Sequence, residues 1–314
     1  MVIRADATGD EKIGVGHVMR CIALAEEWIE RGGRVTLMSV ECIPWVVGAV
    51  ERAGIEFVKM PKVGIGTDYD ARHLVEFADG CGASWVVVDG YSFTEYYMLR
   101  LVGYGFETMI LDDYGHCSEY FSDIVLNQDV NYDDFYAGIH APFTCILLGD
   151  EYALIRREFR EARARRKSHG IWPNTVFLGM GGNDPLGVSK IVSEIVSGIG
   201  MQPVISNRNN GSVSEVMARC QIGVVNGGTT AMEAIAVGLP IVIVPLSDNQ
   251  KEPACYYDAI GAAAMLYESC ICDLPDRIEH VIRHSEDMTN IGTSLIDGQG
   301  PSRVVNEMLE VKDA

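Results

Sequence analysis

The sequence predicts an α/β protein built from two Rossmann-like domains whose parallel sheets face a central cleft. Three observations predict it. Short β-branched runs alternate with amphipathic helical patterns almost throughout the chain, as they do where helices connect parallel strands. The alternation breaks at a basic segment and then restarts. The 314 residues are too many for one minimal core and suit two domains of roughly 150 residues each.

In the first half the strand candidates are VIRAD, RVTLMSV, EFVKM, WVVVD, TMILDD, IVLNQ and CILLG, with amphipathic stretches such as Val18–Arg31 and Ala71–Ala78 between them. Nearly continuous apolar strands fit a sheet covered on both faces. Seven of the twelve residues from Arg156 to Lys167 are basic, a pattern that reads as a solvated linker helix before Gly170 and Pro173. Then follow TVFLGMGG, QPVIS, IGVVNGG, PIVIVPL and AAAMLY, each succeeded by a helical stretch. The expected organisation is an N-terminal domain over 1–150, a linker helix region over 151–172 and a C-terminal domain over 173–314, the last helix packing back on the first domain. No GxGxxG follows the first strand, so a dinucleotide fingerprint is absent. The two-domain alternative is the GT-B architecture of sugar-nucleotide transferases, and the length fits it.

Composition narrows the function. A formal net charge of −19 disfavours non-specific binding to nucleic acid or anionic membranes. The apolar runs fall far short of the roughly 20 residues that span a bilayer. The N-terminus begins with a strand and shows no apolar signal core, so a cytoplasmic protein is expected. Nine dispersed cysteines without a CxxC pair suggest reduced thiols. No Cys/His cluster has metal-ligand spacing, and neither a metal nor a cofactor is expected.

Several motifs carry candidate chemistry. In EKIGVGHVMR, Gly14, Gly16, His17 and Arg20 decorate a helix start more heavily than a plain connection requires. In NGGTTAMEAIAVGLPIVIVPLSDNQ, Gly227 and Gly228 allow close backbone approach, and Thr229 and Thr230 open a helix. Free amides at a helix start seat a diphosphate, and Glu233 one turn on could accept ribose hydroxyls. The same residues also suit a capped helix start with an acid near its N-terminus. GMGGNDP places Gly181, Gly182 and Asn183 after the first strand of the second half, as a second ligand turn or simply a tight turn with a cap. Acidic residues end three strands of the first half: Asp6; Asp89 with Tyr91; and Asp112 with Asp113. A carboxylate near His17 would orient its ring and raise its basicity, which suits a general base. The other six histidines lack such a context and read as surface or structural.

The stretch IRADATGDEKIGVGHVMRCIALAEEWIERGGRVTLMS resembles the opening of the UDP-sugar hydrolases of pseudaminic acid biosynthesis, which act on UDP-2,4-diacetamido-2,4,6-trideoxy-β-L-altrose. It is similar also to the spore-coat polysaccharide proteins of the same superfamily. VVVDGY, ILDD, LLGDEYALIRREF, GGNDP, NGGTTAMEAIAVGLP, DNQ and LIDGQGPSRV extend the likeness along nearly the whole chain. The family resembles the lipid II-forming glycosyltransferase in its GT-B fold.

The resemblance implies that His17 activates water to displace UDP from the anomeric carbon with inversion and without a metal. Gly14, Gly16 and Arg20 would shape that pocket, Asp89 and Tyr91 would line the sugar site, and Asp6 would steady the N-terminal loop beside the catalytic group. Gly227, Gly228, Thr229, Thr230 and Glu233 would hold the diphosphate and ribose, with Asn249 and Gln250 near the sugar or phosphate, and Gly181, Gly182 and Asn183 are further substrate-binding candidates. The chain departs from the family at Met232, where a Trp is frequent, at Asn183, where a Ser is frequent, and in the tyrosine-rich GYSFTEYYM. Two other readings compete: a glycosyltransferase with a UDP-sugar donor and another acceptor, and a non-catalytic nucleotide-sugar binding module. A UDP-sugar is the one partner implied; no protein partner is.

Overall fold

The computed structural model describes residues 1–7, 14–62, 64–129, 135–168, 170–181, 187–205 and 212–313. They divide into two compact units, one of Met1–Leu154 with Gln299–Ala314 and one of Ile155–Gly298.

The first unit holds seven strands: β1 (Val2–Ala5), β2 (Thr36–Ser39), β3 (Glu56–Lys59), β4 (Trp85–Asp89), β5 (Glu107–Leu111), β6 (Ile124–Asn127) and β7 (Cys145–Leu148). They form one parallel sheet in the order β3-β2-β1-β4-β5-β6-β7. The two faces share the strand residues alternately. Trp85 and Val87 join Ile3, Leu24 and Leu37 in one core cluster, while Val86 and Val88 join Val2, Met38 and Ile110 in another. This double burial explains why the strands read as continuous apolar runs. The sheet grows outward in both directions from the β1–β4 pair, where Ala5 lies opposite Asp89. Such a switch point opens a crevice at the carboxyl ends of the strands, the usual ligand position in this architecture.

The final helix, Gly300–Asp313, packs in this same unit. Val304, Val305 and Met308 enter the cluster that holds Val18 and Leu24, and Arg31 donates to Asn306 Oδ1 at 2.7 Å and Ser302 Oγ at 2.8 Å.

The second unit holds β8 (Trp172–Gly179), β9 (Gln202–Ile205), β10 (Cys220–Val225), β11 (Ile241–Ile243) and β12 (Ala264–Met265), parallel in the order β12-β11-β10-β8-β9. Its switch point lies between β8 and β10, where Gly179 pairs with Val225. The basic segment is a helix of this unit, Arg157–Ser168, packed on the helices Val213–Arg219 and Thr229–Val237. Part of its charge is structural rather than solvated. Arg166 donates to the carbonyls of Cys220 at 2.7 Å and Gly238 at 3.0 Å, at the C-terminal ends of those two helices. A guanidinium there satisfies orphan carbonyls and meets the negative end of each helix dipole. Burial, without a carboxylate beside it, pushes the Arg166 pKa down to about 10. Among the described residues, no helix is long and apolar enough to cross a membrane.

Candidate active site

The helix Gly16–Glu30 begins behind β1 without a side-chain cap, after Gly14 at φ +58°, a left-handed conformation that favours glycine. His17 and Arg20 are three residues apart and therefore share one helix face. Arg20 grips Asp89, the last residue of β4, through two hydrogen bonds of 2.7 Å from Nε and Nη2. Its Nη1 donates to Asp113 Oδ1. Tyr91 donates its hydroxyl to Asp113 Oδ2 at 2.5 Å.

His17 sits between these carboxylates. Nδ1 lies 4.0 Å from Asp89 Oδ1 and Nε2 lies 3.9 Å from Asp113 Oδ2, beyond hydrogen-bond range but well inside Coulomb range. The ring meets Tyr91 edge-on at 4.9 Å. His17 is only 6% exposed, and among the described residues its Nδ1 has no hydrogen-bond partner. A buried imidazole with an unfilled nitrogen is free to accept a proton.

Charge sets the protonation states around it. Burial works to lower the Arg20 pKa, yet Asp113 and Asp89 override it and hold the guanidinium firmly charged. Burial works in the opposite sense on Asp113, and Arg20 together with His17 overrides that too, keeping the carboxyl below its usual range. Burial and the Asp113 carboxylate push the Tyr91 phenol up, so it stays a hydrogen-bond donor.

Asp112 and Asp113 are neighbours in sequence with separate tasks. β5 stops at Leu111, and Asp112 turns inward to accept from Tyr120 at 2.5 Å, Tyr136 at 2.6 Å and His116 Nδ1 at 2.7 Å. The amides of Asp113 and Gly115 also bond it, at 2.9 and 2.8 Å. Burial acts to raise this carboxyl, but the bonds from His116, Tyr120 and Tyr136 win and hold it low. Burial likewise acts to lower His116, and the Asp112 hydrogen bond overcomes it and lifts the imidazole to about 10. This buried pair anchors the loop that presents Asp113 and Tyr114.

Asp6 does not join the His17 cluster. Its Oδ1 accepts from Ser39 Oγ and Val40 N at 2.8 Å and from Glu41 N at 3.0 Å, and its Oδ2 pairs with Arg4 Nη1 at 2.6 Å. Arg4 continues to Asp70 through bonds of 3.0 and 2.9 Å. Asp6 is thus a structural carboxylate that ties β1 to the turn after β2. Among the described residues no hydrogen bond or ion pair links Asp6 to His17, Arg20, Asp89 or Asp113.

In the second unit the glycine turns stand at the β8–β10 switch point. Gly181, at φ +87°, follows β8; Gly182 and Asn183 lie outside the described residues. Gly227 and Gly228 follow β10 and lead into the helix Thr229–Val237, which has no side-chain cap and no acid in its first turn. A Cβ on Gly227 would stand 2.9 Å from both Cβ and the carbonyl oxygen of Gln250, so the backbone needs glycine there. Gly228 has more room, its nearest neighbour being Gln250 Nε2 at 3.6 Å. Gln250 staples two loops: its Oε1 accepts from Leu246 N at 2.9 Å and Gly227 N at 3.2 Å. Asn249 is exposed, and its Oδ1 accepts from Ser247 Oγ at 2.6 Å. Thr229 and Thr230 are half-buried at the helix start.

Glu233 is buried, and Arg156 donates to its Oε1 from Nε at 3.1 Å and Nη2 at 2.8 Å. Burial raises its pKa while Arg156 opposes the rise. Arg156 escaped the sequence reading because it is one of many arginines in a basic run. Asp113 was visible only as half of an acidic pair.

No protein-family model matches the chain. It is 20% identical over 295 residues to the uncharacterized protein MJ1062 of Methanocaldococcus jannaschii, an alignment covering 82% of this chain and 58% of that protein. The chain therefore spans little more than half the length of that curated relative. Among solved structures it is similar to MurG of Acinetobacter baumannii, with a TM-score of 0.60 and 12% identity over 98% of this chain and 99% of the other. It is similar also to the spinosyn rhamnosyltransferase SpnG, with a TM-score of 0.62 and 13% identity over 100% of both chains. SpnG complexed with thymidine diphosphate gives a TM-score of 0.61 at 15% identity, over 98% of this chain and 100% of that one. At such identities the likeness is one of fold: the chain has the two parallel-sheet α/β domains of the GT-B glycosyltransferases.

Proposed function

We propose that the chain is a nucleoside-diphosphate-sugar enzyme that breaks the bond between the anomeric carbon and the diphosphate, with water as acceptor. The observation that carries the reading is His17, buried between Asp89 and Asp113 at 4.0 and 3.9 Å with an unfilled Nδ1. His17 takes a proton from water while the water oxygen bonds to the anomeric carbon. The carbon–oxygen bond to the diphosphate breaks, its electron pair leaves with the nucleotide, and the configuration inverts. Asp89 and Asp113 stabilise the imidazolium as it forms. Arg20 fixes both carboxylates, and Tyr91 steadies Asp113.

The uncapped start of Thr229–Val237, with the two threonine hydroxyls, offers donors to the departing diphosphate. The Glu233 carboxylate would accept ribose hydroxyls, and Gln250 shapes the glycine loop. The sequence likeness favours uracil as base and a diacetamido-trideoxy sugar. A thymidine diphosphate complex of a protein with this fold supports a nucleotide in such a site.

A second reading keeps the same base and donor but has a sugar or lipid hydroxyl as acceptor. The solved glycosyltransferases of this fold favour it. One assay separates the two. UDP- and thymidine-diphosphate-sugars are incubated without acceptor, and free nucleotide and reducing sugar are followed. Release of both at enzymatic turnover supports hydrolysis. Release only when a hydroxyl acceptor is added moves the assignment to transfer, and no release under either condition removes both.

A further inference from the structure

The second unit carries a cavity of about 590 Å³ at the end of its sheet opposite the glycine turns. Gly181, Gly227 and Gly228 follow the carboxyl ends of β8 and β10. The cavity instead meets Pro173 and Asn174 at the start of β8 and Gln221 and Ile222 at the start of β10. Its walls come from the helices Arg157–Ser168 and Ser285–Leu295. A volume of this size is in the range that encloses a small organic ligand. Ligands of this architecture usually sit at the carboxyl ends of the strands, so the nucleotide reading makes no use of it. Three cations of one helix line it. Arg163, Arg166 and Lys167 stand at i, i+3 and i+4 and so share a face of Arg157–Ser168. Two arginines of the same basic run that do not line the cavity have carboxylate partners: Arg156 holds Glu158 and Glu233, and Arg165 holds Glu161 and Glu215. Among the described residues, none of the three cavity cations pairs with a carboxylate. Arg163 and Arg166 donate to backbone carbonyls, and Lys167 is exposed.

Such a set stands out in a chain with 44 acids against 25 lysines and arginines. Glu286 is the one acid in the lining. Among residues of this unit outside the described set, Asp184 is the one acid, and in sequence it follows the carboxyl end of β8. His169, beside the cations in sequence, can add only positive charge. Ile171, Ile222, Val237, Pro240 and Ile282 make much of the remaining lining apolar. We infer that this cavity binds a small organic anion with an apolar body, its charged head drawn to Arg163, Arg166 and Lys167. Carbonyl oxygens satisfy a guanidinium's hydrogens but leave its net charge, which an anionic ligand would balance. Apolar walls lower the local dielectric and strengthen that attraction. They also favour a ligand that covers them over a bare inorganic anion, which would leave them wet.

The test is calorimetric titration of the full chain with naphthyl phosphate, inorganic phosphate, naphthalene methanol and naphthylmethylamine. Naphthyl phosphate should bind with a Kd of about 0.1–1 mM, at least ~10-fold tighter than each of the other three. Excess UDP should not displace it. Three variants, each shown to be folded by its melting curve, locate the site. Lys167→Glu reverses a charge and Asn290→Trp fills the cavity from an exposed helix position, and each should weaken naphthyl phosphate about 10-fold. Glu286→Gln removes the one acid of the lining and should tighten it about 2- to 5-fold. Binding no tighter than that of naphthalene methanol or of inorganic phosphate overturns the inference. So does displacement by UDP, or unchanged affinity in any of the three variants. The variants decide the matter whether or not UDP binds, so failure of the nucleotide reading leaves this site standing.

Discussion

Arg20 holds Asp89 through two parallel hydrogen bonds of 2.7 Å while its remaining nitrogen engages Asp113. The relationship joins the first helix to the ends of β4 and β5, and it places two carboxylates 4.0 and 3.9 Å from the His17 ring nitrogens. Bidentate geometry is particular to a guanidinium, since a lysine presents a point charge on a flexible stem.

Replacing Arg20 with lysine should therefore injure both fold and turnover. Loss of one partner in a buried, hydrogen-bonded pair costs about 3–5 kcal/mol when the charge is removed, and the lysine variant should lose about half of that. Urea unfolding measures the stability, and nucleotide release measures a fall of about 100-fold in kcat/KM. A variant as stable and as active as the parent would show that the clamp is incidental.

His17→Asn should leave unfolding unchanged within ~0.5 kcal/mol, because the lost Nδ1 has no hydrogen-bond partner among the described residues. The same variant should lose about 10²- to 10⁴-fold in kcat, with KM within a few-fold of the parent. A large rise in KM at constant kcat would instead make His17 a binding group. Chelator should leave turnover unaltered in the parent; abolition would overturn the metal-free expectation.

The Asp112–His116 pair should give stability a pH signature. The folded pKa of His116, at about 10, stands above its ordinary value, so its contribution is complete below about pH 6.5 and is lost as pH rises toward 10. Asp112 has the opposite sign. Its depressed pKa makes its contribution complete above the ordinary carboxylate range, and acid removes it. Urea midpoints measured from pH 7 to 10 should fall by the equivalent of a few kcal/mol in the parent. In His116→Gln the alkaline slope should flatten, and an unchanged slope would assign the alkaline loss to other groups.

Two adjacent glycines should respond differently to the same change. Gly227→Ala places a methyl 2.9 Å from Gln250 and should destabilise the second unit by about 1–3 kcal/mol. Gly228→Ala meets only ordinary contacts at 3.6 and 3.8 Å and should fold normally. If the loop seats a diphosphate, the added methyl at 228 should still weaken nucleotide binding about 10-fold by keeping the anion off the backbone. Calorimetric titration distinguishes the outcomes; full affinity in Gly228→Ala would remove the loop from the nucleotide site.

The alternation of apolar runs and helical stretches made the strand positions legible, because β-strand and helix periods are local properties of a chain. Gly181 and Gly227 were legible for the same reason: a left-handed or crowded backbone demands glycine wherever the sequence goes next. Pairings between distant residues were less so. Asp6, Asp89, Asp112 and Asp113 look alike as acids ending strands, yet Asp6 belongs to Arg4 and Ser39, Asp112 to His116 and two tyrosines, and the other two to Arg20. The basic run read as a solvated linker contains Arg166, which caps two helices, and Arg156, which holds Glu233.

By itself, then, the sequence determined the α/β class, the order of the elements and the short list of residues able to do chemistry. The tertiary structure alone decided which of them meet. Strand order brought β1 beside β4, and the end of β5 turned one aspartate inward and its neighbour toward His17. Hydrogen bonds and ion pairs act over a few ångströms of space, and separation along the chain does not encode that distance.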